Sequence, residues 1–210
     1  IVSAYGVASG TIINAGGTQY IFSGGKAEAG MLNAGQQIIY AGGIGNLTSQ
    51  TGGTQIVSGG TGTVDYAWCG RQYISGGIGS VTSAHYINQL INGGTGLIGT
   101  LEEGGQYISA GTGSIGTMIS GTQDISSGAS GSIGIMSDGL QNGIGTGSIG
   151  TMLGGTQSTR AGAGIDTMSG GEQDVFVSGS IGTMAGGTQL VSSGTGSVTT
   201  LNGGTQDIMI

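Results

Sequence analysis

The chain is expected to be all-β, a parallel β-helix (β-solenoid) of about twelve coils of 16–18 residues each. Three observations predict this. A glutamine recurs from one end of the sequence to the other, three apolar columns keep a fixed distance from it, and glycine fills the stretches between. Of the 210 residues 52 are Gly and none is Pro, a composition that without a period marks a disordered low-complexity tract. The period reverses that reading.

One glutamine per unit is supplied by Gln19, Gln37, Gln55, Gln72, Gln89, Gln106, Gln123, Gln141, Gln157, Gln173, Gln189 and Gln206. The steps between them are 18, 18, 17, 17, 17, 17, 18, 16, 16, 16 and 17 residues. Twelve units therefore occupy residues 1–210 without space for a linker, and a single β-solenoid domain is expected.

Two residues after each Gln stand Ile21, Ile39, Val57, Ile74, Ile91, Ile108, Ile125, Gly143, Thr159, Val175, Val191 and Ile208. Nearly all are β-branched aliphatics, the residues that pack best on a half-buried strand. Eight before the Gln a second column runs from Leu47 and Val64 through Ile115 and Ile181 to Val198, failing only at Thr11 and Ala29. Five before it a third holds Leu32, Ala67, Ala84, Leu101, Met118, Met136, Met152, Met168, Met184 and Leu201. From eight before the Gln to two after it no insertion is needed. Length variation falls in the glycine-rich stretch that follows, such as Ser23-Gly24-Gly25, where an insertion bulges outward and spares the core.

Helix pairs are the competing way to build a solenoid. Units of about 17 residues are too short for two helices, and so many glycines would cost each helix roughly 1 kcal/mol apiece. Short strands such as Gln19-Tyr20-Ile21-Phe22 and Ser114-Ile115-Gly116-Thr117-Met118 fit instead. At about 4.8 Å per coil, twelve coils make a rod roughly 55–60 Å long.

Each Gln shares strand parity with the aliphatic two residues later, so its side chain is expected to point inward. Stacked at one coil spacing, each amide can donate to its neighbour on one side and accept from the other, giving a structural ladder. The Gly-Gly-Thr before it, at 16–18, 52–54, 186–188 and 203–205, reads as a tight corner needing positive φ. Outward Thr columns also suit an ice-binding solenoid. Against that, the same column holds Gln36, Arg71, Asn88, Gly105, Leu140 and Glu172, which breaks the regularity of a lattice match.

Composition removes several function classes. Lys26, Arg71 and Arg160 are the only cations against ten carboxylates, for a net charge of -7, so nucleic-acid binding and docking on anionic lipid are not expected. Hydrophobic residues reach 36% and mean hydropathy is +0.19, too apolar for a charge-expanded chain. No run of eighteen apolar residues occurs, so membrane insertion by this segment is not expected. Cys69 stands alone, which leaves no internal disulfide and no Cys-rich metal site.

Single residues point to no reaction. His85 lacks triad partners at a recognisable spacing, and Cys69 beside Trp68 reads as a small semi-buried residue. Met118, Met136, Met152, Met168 and Met184 resemble a soft-metal box in composition only, since they occupy the core column. Asp124, Asp174 and Asp207 lie on different coils and form no calcium repeat. Glycan-cleaving β-helices gather carboxylates on one face; here Glu102-Glu103 is the only adjacent pair, and it reads as a solvated turn. No catalytic residue, cofactor or metal ligand is expected, and the chain is not expected to be an enzyme.

Units such as Thr11-Ile12-Ile13-Asn14-Ala15-Gly16-Gly17-Thr18-Gln19-Tyr20-Ile21-Phe22-Ser23-Gly24-Gly25 resemble the AIDA-type repeat of self-associating autotransporter adhesins of Gram-negative bacteria. The similarity covers essentially the whole chain, is strongest over 9–60, and loosens after about 110, where Gly-Ser-Ile-Gly-Thr-Met replaces the family's Thr-x-Ile-Asn segment. The resemblance implies a passenger domain: a right-handed β-helical stalk at the bacterial cell surface, exported as part of a longer precursor through a C-terminal barrel. It implies cell–cell aggregation, biofilm formation or host attachment, with the partner being another copy of the chain or a host-cell surface. It also implies possible sugar modification at the Ser-Gly-Gly turn, matched here by Ser23, Ser58 and Ser75 but not by Ala41, Asn92 or Ala110. The ends repeat mid-coil strands, as Ile1-Val2-Ser3 repeats Ile56-Val57-Ser58, so a fragment of a longer passenger, or end-to-end stacking into a filament, is expected. A purely structural spacer, with binding located elsewhere, is the alternative.

Overall fold

Each coil contributes a short strand bearing the glutamine and a longer strand bearing the other two apolar columns. Thr18–Ile21 and Lys26–Leu32 are the first such pair, and Thr188–Val191 with Thr195–Leu201 is a late one. In the middle of the chain the two fuse into continuous strands, Thr54–Ala67, Gly70–Ala84, Ile87–Leu101 and Gly104–Met118. The computed structural model describes residues 1–209, the side chain of Thr159 excepted, and these contain strands and turns but no helix. All named strands join one 21-stranded sheet that winds through about twelve stacked coils, a parallel β-solenoid.

Register follows the glutamines. Gln19 pairs with Gln37, Gln72 with Gln89, Gln123 with Gln141 and Gln189 with Gln206, always parallel. The same pairings carry Val64 onto Val81, Ile115 onto Ile133 and Met152 onto Met168. The second and third columns form one continuous apolar cluster from Ile13 to Met184, and the five methionines are fully buried within it. The column beside the glutamines forms a second cluster from Val2 to Ile125 and Ala129. It lapses at Gly143, and the side chain of Thr159, the other exception to the aliphatic pattern, lies outside the described residues.

The glutamines form a buried ladder. Nε2 of each donates to Oε1 of the preceding one, from Gln37 onto Gln19 at 2.8 Å to Gln206 onto Gln189 at 2.6 Å. Gln37 through Gln189 have no solvent exposure. The second amide hydrogen reaches backbone carbonyls, as in Gln106 Nε2 to Gly96 O at 3.2 Å. A polar group this deep is tolerated because both its amide nitrogen and its carbonyl oxygen have a hydrogen-bond partner. The glycine column opposite belongs to the same device: a Cβ on Gly62 would fall 2.8 Å from Gln55 Oε1 and 2.6 Å from Val57 Cγ2.

Three details depart from the simple column scheme. Inward residues Leu47 and Gln50 stand three apart, which a straight strand forbids, so the intervening Thr48 drops out of the pairing and the strand kinks. Asp65, Thr82, Gly99 and Gly116 hold the same place in later coils, adding a bend to the two glycine turns. Secondly, the kink moves in one coil without any insertion: Ala29, at φ 49°, is a bulge that places Gly30 rather than Ala29 opposite Leu47, and the unpaired Thr48 restores the register at Met31 and Ser49. Finally, the third column contains a polar residue, since Gln50 pairs with Leu32 on one side and Ala67 on the other. It is fully buried; Nε2 donates to the carbonyls of Gly53 and Arg71 at 3.2 Å, but Oε1 has no partner.

The two kinds of buried glutamine predict opposite responses to one substitution. Gln106→Met strips the donor from Gln89 Oε1 and the acceptor from Gln123 Nε2, and is expected to lower stability in urea denaturation by about 2–4 kcal/mol. Gln50→Met replaces a half-satisfied amide with the side chain that fills the same column in later coils, and is expected to raise stability by about 1 kcal/mol.

Candidate functional site

In-register stacking turns every outward position into a column along the rod. On the longer strands Thr95, Thr112, Ser130 and Thr146 follow one another, and two residues further on Ser114, Ser132 and Ser148 do the same. The inward glycines between them add no bulk, so the face is a shallow lane of uncharged hydroxyls. Its C-terminal part is a groove of about 430 Å³ where Gly162 and Gly164 interrupt the two hydroxyl columns, with Thr146 and Ser148 on one side and Ser178, Ser180, Thr195 and Ser197 on the other. Two of the cations have partners of their own: Lys26 pairs with Glu28, and Arg160 sits over the Phe176 ring at 5.6 Å.

Ser23, Ser58 and Ser75 are exposed at the turn after the short strand. The turns of the first two coils hold one residue more, Phe22 and Tyr40, whose rings stack with centroids 4.9 Å apart and planes within 3°.

The residues that stood alone in sequence do converge. Trp68, His85 and Glu102 occupy one outward column on three successive coils, as the amide bonds from Trp68 to Gln50, His85 to Ala67 and Glu102 to Ala84 show. The His85 ring lies 4.3 Å from that of Trp68, and its Nδ1 is 2.6 Å from Glu102 Oε2. Tyr86 meets His85 edge-on at 4.4 Å, while a hydrogen bond to Glu103 and the charge of that carboxylate push the Tyr86 hydroxyl above its ordinary 10.0. Cys69, next in line, has Sγ 2.7 Å from the Thr51 carbonyl. Sequence reading missed this grouping, although the 17-residue steps from 68 to 85 to 102 match those of the local glutamines.

The aspartates share one outward column but not one place. Asn142 separates Asp124 from the later coils and donates to it at 3.5 Å; Ser158 and Leu190 flank Asp174. Asp174 is pushed up to about 6 from its ordinary 3.8, first by burial, which leaves its Oδ1 without a hydrogen-bond partner, and then by the Glu172 carboxylate beside it. Among the described residues no group of three or more His, Cys, Asp or Glu is placed to hold a metal ion.

A scan against protein-family models, a search of the curated proteins and a search of the solved structures each found no match.

Asp174 makes a signed pH prediction. The folded state holds its proton more tightly than the unfolded chain, so between pH 3.8 and about 6 stability is expected to fall as pH rises, and to level off above. Asp174→Asn should remove that slope and stabilise the rod at neutral pH, by no more than about 1 kcal/mol given partial solvent screening. Urea midpoints measured from pH 4 to 7.5 on both proteins check it.

Proposed function

We propose that this rod is part of an extracellular adhesin stalk at a bacterial cell surface, acting through its lateral faces in cell–cell aggregation, biofilm formation or host attachment. The observation that carries the reading is the lane of uncharged hydroxyls stacked on the coils from Thr95 to Thr146 and again from Ser178 to Thr195, with only glycine between. Such a face offers hydrogen-bond donors and acceptors at about 4.8 Å intervals and opposes a like face with little Coulomb repulsion. Many weak polar contacts then add along the length. The resemblance of the repeats to the AIDA type supports the same reading and implies export within a longer precursor. Sugar modification at Ser23, Ser58 and Ser75 belongs to this proposal, as all three hydroxyls are exposed.

A spacer role is the second reading. It is favoured by a core made of one repeated device, which scales with coil number and fixes reach.

Sedimentation velocity separates the two. The adhesin reading expects concentration-dependent association of the isolated rod, reversed by the double substitution Thr112→Lys and Ser148→Lys, which puts charge in the lane. A strict monomer at high concentration would favour the spacer.

A further inference from the structure

One corner of the rod abandons the repeat. Its column holds Trp68, the only tryptophan, then His85, the only histidine, then Glu102; later coils place Ile119, Ser137, Leu153, Ser169 and Ala185 there. The fold therefore has no need of an aromatic ring at this position. Yet Trp68 is 48% exposed, and Tyr66 and Tyr86 beside it are 45% and 51% exposed.

The backbone is strained at the same place. Neighbouring coils turn this corner on the left-handed glycines Gly70, Gly104 and Gly121. In the coil of Gln89 that place is taken by Ile87, which is fully buried, and the left-handed conformation passes to Tyr86 at φ 55°. A non-glycine residue there costs about 1–2 kcal/mol, a strain that concentrates at ligand sites.

The two faces of the indole are unlike. His85 covers one, locked by Glu102, while Glu103 lies against the Tyr86 hydroxyl. On the other side of Trp68 the column continues through the preceding coils with the exposed Thr51 and then Asn33 and Asn14, while the Tyr66 ring stands 6.5 Å away on the same coil as Trp68. Thr51 donates to Asn33 Oδ1 at 3.3 Å and Asn33 Nδ2 to Asn14 Oδ1 at 2.8 Å. That chain leaves the second amide hydrogen of Asn33, both of Asn14 and a lone pair on Thr51 unused.

We infer that this corner is a binding site for a neutral saccharide chain lying along the rod, with one sugar ring stacked by its C–H face on Trp68 and its hydroxyls on Thr51, Asn33 and Asn14. A pyranose has an apolar face and a rim of hydroxyls, and the corner offers an apolar ring face beside an uncharged lane of donors and acceptors. An organic cation fits less well, because the Glu102 carboxylate nearest the indole is already engaged by His85. A polyanion would meet Glu102 and Glu103 on a chain of net charge -7. The inference stands apart from the adhesin reading, since a spacer could carry the same site.

Trp68 reports directly on the site, because all tryptophan emission from the chain is its own. Cellohexaose, maltohexaose and chitohexaose are titrated separately against the intact chain and followed by emission and by calorimetry. At least one is expected to give a saturable emission change. Trp68→Ala, whose far-UV circular dichroism should be unchanged because Ala185 fills the same column, is expected to weaken calorimetric binding at least tenfold. Asn33→Leu should weaken it several-fold, and Tyr20→Ala on the far turn should leave it alone. Silence of all three sugars overturns the inference, as does retained affinity in a folded Trp68→Ala, or binding of tetramethylammonium in place of the sugars.

Discussion

Every coil lies on the one before it in register, so each residue meets the same position of its neighbours at about 4.8 Å on either side. This constraint explains why glutamine stands in the core at all. A single buried amide would be costly, but an amide stacked on its own kind finds a donor and an acceptor at the right spacing. Slipping one coil by a residue would turn its glutamine out and its outward neighbour in, and would break two bonds of the ladder. The ladder therefore acts as a register lock as well as a source of stability. The glycine column follows from it, since Gln Oε1 occupies the space a Cβ would take.

The same rule governs the surface. Neutral hydroxyls stack without conflict, whereas like charges brought together must be desolvated or paired. Glu172 and Asp174, two residues apart on one outward strand, show the cost in the raised pKa of Asp174. A repeat also gives a clear background against which departures stand out. Where Trp68, His85 and Glu102 replace one another up a single column, three coils that are alike inside combine into a patch that is unlike the rest of the rod.

Much of the interior was legible in the sequence because stacking demands repetition. The glutamine steps, the buried methionines and the glycine turns all follow from spacing alone. The kink at Thr48 was legible too, since columns eight and five residues before the glutamine differ by an odd number and cannot both face inward on a straight strand. Gln50 escaped because residue type drew attention to the glutamine ladder while its position belonged to the apolar column. The bulge at Ala29 left no signal beyond two failures of the second column. The aromatic corner was hidden by a different cause: Trp68, His85 and Glu102 have no common chemistry, and only reading them at the coil period brings them together. The strain at Tyr86 depends on Ile87 displacing a glycine, which becomes visible once register is known.

The register lock is tested most directly by proton exchange of the glutamine side-chain amides, resolved by NMR on isotope-labelled protein. The amide hydrogens of Gln37 through Gln189 are expected to exchange far more slowly than those of the exposed Asn92, at rates close to the protected backbone amides of the same strands. Exchange of those glutamines as fast as that of Asn92 would contradict the account.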